Sequence, residues 1–422
     1  MAQLDTPTQQ GGNQVRLTTI ALVFGQVGIT AFGMAVMVKL KSAVLGRHWL
    51  TVEQMNEGLA LVQLYPGPIM IDFTAYVGYK LRGARGALAA TVGFVTPSLV
   101  LMVALSALYF AGANLGWVHE MILGLDAIVV GVVLHVTLDF AKQYVVSLPA
   151  AGIALGAFVA DLYGLSPVVV VIGALAIGAV LIAPGPARQA KDGPRPGVAK
   201  AGIGSPGLSV GTPSSQSLAS RWRAISAVAA CVLGAGIVLV VEEPHEVATM
   251  GAGLLEIGAV AFGNGLTILP LISNLAVVSH HWLTQGEFTA GIAFGQVTPG
   301  PFLITAAFIG YKLAGIPGAA LATFAIFSPS FAMTLGFTEI SGTLQRWRAV
   351  RGALAGVMAG FVGLLAAIII ELGHPVVANR AAIAMAAAAL VAARSFKLDI
   401  IWVFTGGLGL WAGAWALGLV GH

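Results

Sequence analysis

Two short segments of this chain carry residue types that could hold an anion: Gln63-x-x-Pro66-Gly67-Pro68 and Gln296-x-x-Pro299-Gly300-Pro301. Proline lacks an N–H and disfavours helix at the residue before it, while glycine accepts almost any dihedral, so each Pro-Gly-Pro breaks a helix. Pro68 and Pro301 suit the first position of the helix that resumes. The N–H groups behind them lack intrahelical partners, and with the positive end of the helix dipole they form a ready anion site. Such a break could also merely kink a packing helix. Two copies, each with a glutamine three residues ahead, favour a site. Gln63 and Gln296 could donate to a substrate or cap the freed carbonyls equally well.

Other residues offer supporting chemistry. Phe262-Gly263-Asn264-Gly265 could form a second interruption facing the first, and its counterpart Phe32-Gly33-Met34 is less glycine-rich. Lys80, Arg82 and Lys312 follow the resumed helices and could attract an anion, although basic side chains at helix ends commonly snorkel to the interface. Acids inside apolar segments are costly and often functional, which makes Asp72 and Glu256 candidates for proton coupling. Asp72 aligns with Thr305, so that role would be asymmetric. His135 and Asp139 stand four apart and could form a proton pair or take an interhelical hydrogen bond. Asp126 and Asp161 lie near segment ends.

The elements that carry these residues must sit in lipid. Hydrophobic residues make up 58% of the 422 positions and charged residues 9%, where a soluble protein carries about 25% charged. Mean hydropathy is +0.91. The 55 glycines suit close helix packing in a membrane. Only 21 Lys and Arg are spread along the chain, too few for a nucleic-acid face despite a pI near 9.3. The single cysteine, Cys231, excludes an intrachain disulfide and a multi-thiolate metal site. No metal ligand set and no cofactor are expected. Residues 1–14 read as a polar tail rather than a cleaved signal.

Apolar stretches fall near 17–38, 58–79, 86–111, 118–140, 144–162 and 165–183, then 223–241, 247–271, 288–311, 317–338, 349–371, 376–394 and 398–420. Read as crossings, they make about 13 transmembrane segments. Residues 184–221, rich in Pro, Gly, Ser and basic side chains, read as a flexible cytoplasmic linker.

The chain is also a tandem duplication. His48-Trp49-Leu50-Thr51 recurs as His281-Trp282-Leu283-Thr284, Gly78-Tyr79-Lys80-Leu81-x-Gly83 as Gly310-Tyr311-Lys312-Leu313-x-Gly315, and Pro97-Ser98 as Pro329-Ser330. Thr51 with Gln54, and Thr284 with Glu287, read as capping boxes. The expected fold is an all-α polytopic membrane protein: a first repeat over 15–183, a connecting helix over 222–243 and a second repeat over 244–422. An odd connector would invert the second copy. With the linker in the cytoplasm, most basic residues fall inside and Glu242, Glu243 and Glu246 outside. The strain is Lys39, Lys41 and Arg47, placed outside, with Lys312 and Arg380 as lesser exceptions. In a rival arrangement the Pro-Gly-Pro segments dip in and return. It rescues those three but displaces Arg346, Arg348, Arg351, Arg394 and Lys397, so crossing is the expectation.

A Phe-Gly motif, a Trp-Leu helix start, Gln-x-x-Pro-Gly-Pro, Gly-Tyr-Lys and a downstream Pro-Ser, present twice at 32–98 and 262–330, resemble the chromate ion transporter family in its long two-domain bacterial form. The resemblance implies a bacterial inner-membrane carrier that exports chromate, with sulfate as the close chemical analogue. It implies a functional core of Phe-Gly, Pro-Gly-Pro and Gly-Tyr-Lys elements. The family's Phe-Gly-Gly stands here as Phe32-Gly33-Met34 and Phe262-Gly263-Asn264. The expected partners are a chromate- or sulfate-like anion and the lipid bilayer, and the chain could pair as a homodimer. The N-terminus is expected in the cytoplasm and the C-terminus in the periplasm. An oxyanion channel is the alternative, and a lipid-phosphate enzyme a more distant one. There is no Gly-x-x-x-x-Gly-Lys-Ser/Thr pattern for ATP drive.

Overall fold

The structure is a computed structural model describing residues 15–30, 35–112, 116–182, 244–263, 265–344 and 348–420. The tail 1–14, the linker 184–221 and the connecting segment 222–243 lie outside the described residues, as do Phe32, Gly33 and Asn264. Among the described residues the regular structure is helical apart from one two-stranded bridge. The first half contains α1 (Leu17–Thr30), α2 (Ala35–Leu45), α3 (Val52–Leu61), β1 (Gly67–Pro68), α4 (Ile69–Gly112), α5 (Gly116–Tyr144), α6 (Leu148–Leu162) and α7 (Pro167–Leu181). The second contains α8 (His245–Val260), β2 (Phe262–Gly263), then a 3-10 turn, α9 (Leu269–Ser273) and a π turn over 266–279. It continues with α10 (Gln285–Val297), a 3-10 turn over 302–304, α11 (Thr305–Leu344), α12 (Arg348–Val377), α13 (Arg380–Arg394) and α14 (Ile400–Ala416).

Both capping boxes form: Thr51 and Thr284 accept from the backbone N–H three residues on, and Gln54 and Glu287 reach back to the cap N–H. From there the chain departs from the expectation of one long broken crossing. Tyr76 Oη donates to Gln54 O at 3.1 Å, and a Cβ placed on Gly58 would lie 2.2 Å from the Tyr76 ring. Collinear half-helices would hold Tyr76 and Gly58 more than about 20 Å apart at 1.5 Å rise per residue. The stem before the Pro-Gly-Pro and the stem after it therefore lie side by side and antiparallel. The second copy does the same, since Glu287 of α10 pairs with Lys312 of α11 and Phe294 meets Phe308 with ring centroids 5.9 Å apart.

The Phe-Gly segments behave alike. The Phe24 and Trp49 rings lie 6.4 Å apart, so the chain folds back between α1 and residue 49. A Cβ on Gly253 of α8 would lie 2.6 Å from Leu275. The described parts of the stretches 17–38, 58–79, 247–271 and 288–311 are thus limbs of doubled-back hairpins rather than single crossings. Among the described residues four helical stretches are long and apolar enough to cross a membrane: Ile69–Gly112, Glu120–Tyr144, Phe302–Thr338 and Ala349–Val377. The remaining apolar helices are shorter, and the arrangement is that of an all-α membrane protein.

The Gly-Tyr-Lys-Leu-x-Gly motif builds the hairpin's other end. Helical geometry breaks at Arg82 (φ −145°, ψ 26°) and Gly83 (φ 60°, ψ −152°), and at Ala314 (φ −144°, ψ 25°) and Gly315 (φ 60°, ψ −143°). That second backbone conformation is essentially reserved for glycine. Each turn sends the chain straight back, so a Cβ on Gly78 would lie 2.4 Å from Gly86 O and one on Gly310 2.1 Å from Gly318 O.

The halves interlock. A Cβ on Gly178 of α7 would lie 2.5 Å from Gly356 of α12, and one on Gly131 of α5 2.4 Å from Ala386 O of α13. Helices in lipid gain little from burying apolar surface, so glycine contacts that let backbones meet hold the two repeats together. Leu22, Leu108, Leu148, Val180 and Leu410 are exposed on the outer surface, where acyl chains would cover them.

Candidate functional site

The hairpin tips meet. Gly67 and Pro68 pair in parallel with Phe262 and Gly263, so the first Pro-Gly-Pro is joined to the Phe-Gly segment of the other repeat. On the far side of that segment, a Cβ on Gly265 would lie 3.1 Å from Phe302 Cβ, next to the second Pro-Gly-Pro. Phe262, Gly263 and Gly265 therefore lie between the two Pro-Gly-Pro turns. Thr267 Oγ1 donates to Phe262 O and steadies the segment from within.

Each tip is also held by the helix that carries the Pro-Ser of the opposite half. Ser98 Oγ donates to Pro299 O at 2.6 Å, and a Cβ on Gly300 (φ +108°) would meet that same hydroxyl at 2.1 Å. Asp72 is fully buried one turn past Pro68. Its Oδ1 accepts from Thr334 Oγ1 at 3.2 Å, one turn past Ser330, while its Oδ2 has no hydrogen-bond partner among the described residues. Thr334 in turn accepts from Tyr65 Oη at 2.8 Å, and the Tyr65 ring stacks on Phe337 at 4.8 Å. A Cβ on Gly67 would fall 2.0 Å from Asp72 Oδ2, so glycine is what lets the carboxylate rest against the turn.

The two glutamines differ. Gln63 is exposed. Gln296 is half-buried, and its Nε2 has no hydrogen-bond partner among the described residues. Neither has the hydroxyl of Thr298, which is 4% exposed. A buried donor left unpaired costs about 1–3 kcal/mol, a cost that a bound oxyanion at this tip would remove.

The lysines lie elsewhere. Lys80 is twelve residues beyond Pro68, about 18 Å along the stem, and its Nζ sits 5.4 Å over the Tyr76 ring. Lys312 stands at the matching place, paired with Glu287 and 5.6 Å over the Phe110 ring. Both mark hairpin bases, not tips, because the stems double back. Glu256 is exposed on α8. His135 Nε2 is 3.7 Å from Asp139 Oδ2, while Asp139 Oδ1 takes an interhelical bond from Arg394 at 3.2 Å. Ser98, Thr298, Tyr65 and Thr334 were not singled out from sequence. The repeated Pro97-Ser98 and Pro329-Ser330 was the signal available for the first.

The profile described as chromate transporter matches residues 18–179 and 248–413. An uncharacterised transporter of Methanocaldococcus jannaschii is 26% identical over 361 residues, covering 85% of each chain. A chromate transport protein of Cupriavidus metallidurans is 27% identical over 84% of this chain and 82% of its own length. One of Pseudomonas aeruginosa is 27% identical over 78% and 73%. No solved structure matches the chain.

Proposed function

The chain belongs to the chromate transporter family, and from that premise we propose that it is a secondary carrier exporting chromate, or a related tetrahedral oxyanion such as sulfate. Its relatives are named as transport proteins, so this is a multi-pass membrane transporter and not an enzyme. The observation that carries the proposal is the junction of Gly67–Pro68 with Phe262–Gly263, flanked by Gly300-Pro301. The proposed donor set is the first-turn amides behind Pro68 at one tip and the unpaired Gln296 and Thr298 donors at the other, groups suited to a dianion. Phe32, Gly33, Gln63, Pro66, Asn264 and Pro299 complete the proposed lining, with Lys80 and Lys312 kept only as distant charges.

The proposal includes inverted repeats. Along the second limb of α4, Gly86 packs on the base of the first hairpin, Ser98 touches the second tip, and Phe110 stacks on Tyr311 near the second hairpin's base at 6.2 Å. Gly86 and Phe110 are about 36 Å apart on one helix, which supports hairpins entering from opposite faces. On this reading the first repeat spans 15–183, the second 244–422, and the chain changes sides between them through 222–243. Doubled-back hairpins then return Lys39, Lys41 and Arg47 to the side of Arg82, Lys142, Arg351 and Arg394, leaving Lys312 and Arg380 opposite. That charge bias supports a cytoplasmic N-terminus and a periplasmic C-terminus, on the reading that the membrane is a bacterial inner membrane. Buried Asp72 is the leading acid for proton coupling, with Glu256 second, and membrane potential or a counter-anion could also drive transport.

The test is chromate flux into proteoliposomes with a panel of oxyanions. Saturable uptake that responds to trans sulfate or a pH gradient is expected, and flux that follows voltage without saturating would make the protein a channel. Replacing Pro66-Gly67-Pro68 with three alanines should abolish transport while the protein still inserts. Unchanged transport would leave the turn only a structural role.

A further inference from the structure

One cluster of charge lies outside the tip junction. Where α5 ends against the α13–α14 turn, a cavity of about 500 Å³ is lined by His135, Asp139, Lys142, Arg394 and Lys397. Three permanent cations face one carboxylate, a surplus of two positive charges. Asp139 is 55% exposed and bridges Arg394 and His135, holding both side chains at the cavity wall. Lys397 takes φ +51°, a turn that glycine or asparagine would make more cheaply. Beside Asp139 on α5, Phe140 reaches the tip junction: a Cβ on Gly263 would lie 3.9 Å from its Cζ. The helix that lines the cavity through Asp139 thus also touches Gly263.

The repeat supplies a comparison. Helices α6 (148–162) and α13 (380–394) match at a constant offset of 232, which pairs Asp139 with Glu371 and Arg394 with Leu162. At that equivalent place the permanent cations are missing: Lys142, Arg394 and Lys397 are matched by His374, Leu162 and Leu165, and Asp139 by another acid. Glu371 accepts from Ser273 Oγ at 2.8 Å and lies within electrostatic reach of Asp161. One copy of the position is cationic and the other is a pair of acids.

We infer that the cavity of Lys142, Arg394 and Lys397 is a capture site for tetrahedral oxyanion dianions on one face of the membrane. The acid pair Asp161–Glu371 disfavours capture at the other, so the two entrances differ in net charge and should differ in their KM for the anion. A cleft lined by one sign of charge raises the local concentration of the opposite ion and its on-rate. In the topology proposed above the cationic face is cytoplasmic, as export requires. This inference rests on the carrier reading.

The experiment measures chromate flux from each face separately, in proteoliposomes whose opposite-facing copies are blocked through an engineered surface cysteine. Lys142→Gln/Arg394→Gln/Lys397→Gln should raise the chromate KM at the cavity face about tenfold at ~10 mM salt and far less at ~300 mM, because salt screens exposed charge. The KM at the other face should not change, which separates this effect from misfolding. Lys142→Arg/Arg394→Lys/Lys397→Arg, which keeps the charge, should restore the wild-type KM. Asp161→Asn/Glu371→Gln should lower the KM at the opposite face. Unchanged KM and salt response in the triple glutamine variant, with wild-type transport intact, would overturn the inference. If wild-type protein moves no chromate from either face, the carrier reading itself fails.

Discussion

Gly300→Ala is the sharpest single test of the tip junction. Gly300 sits at φ +108°, where an L side chain is strained by about 1–3 kcal/mol. Its new Cβ would lie 2.1 Å from Ser98 Oγ, so the hydroxyl must swing away and release Pro299 O, at about 1 kcal/mol more. Together these give about 3 kcal/mol against the present tip, roughly a hundredfold at 1.4 kcal/mol per decade. Initial rates of chromate uptake should fall by that order in kcat/KM, while detergent-solubilised protein remains monodisperse. Gly315→Ala is the matched control. It meets the same class of backbone strain (φ +60°), but no atom lies within 4 Å of its added Cβ, and it sits at a hairpin base. It should lower thermal stability and leave transport per folded molecule near wild type. Adding Ser98→Ala to Gly300→Ala removes the steric neighbour and should recover part of the lost rate. Wild-type kcat/KM in Gly300→Ala, or equal inactivation by Gly315→Ala, would refute the assignment of function to the tips.

Three further outcomes are expected. Asp72→Asn keeps the shape of the carboxyl against Gly67 but cannot ionise, so the pH response of transport should vanish before chromate recognition does; an intact pH response removes Asp72 as the coupling acid. Gly310→Val sets a side chain 2.1 Å from a backbone carbonyl that cannot move aside, and the protein should fail to accumulate in the membrane; normal yield would contradict the tight α11 turn. Single cysteines at Lys41 and Lys142 should label from one face and a cysteine at Lys312 from the other, whereas labelling of all three from one face would sink the inverted arrangement.

Much of this protein was legible in one dimension. A charged fraction of 9% cannot cover a water-facing surface, so lipid follows from composition alone. The duplication, both capping boxes and both helix breaks also follow from residue type and spacing, because caps and breaks depend on neighbours within a few positions. The path of the chain through each break did not. Hydropathy scores an apolar stretch identically whether its halves continue or fold back, and the thirteen expected crossings rested on that ambiguity. The direction was settled by Tyr76 meeting Gln54 and Glu287 meeting Lys312. The partner of each tip was equally hidden, since Ser98 and Pro299 are 201 residues apart and Tyr65 and Thr334 are 269 apart. Gly-Tyr-Lys, which the family resemblance implies is part of the functional core, also builds a backbone turn whose need for glycine appears only when the returning limb is in place. Local chemistry sets where a helix can break. What the broken ends face depends on packing between distant segments, which no window along the chain contains.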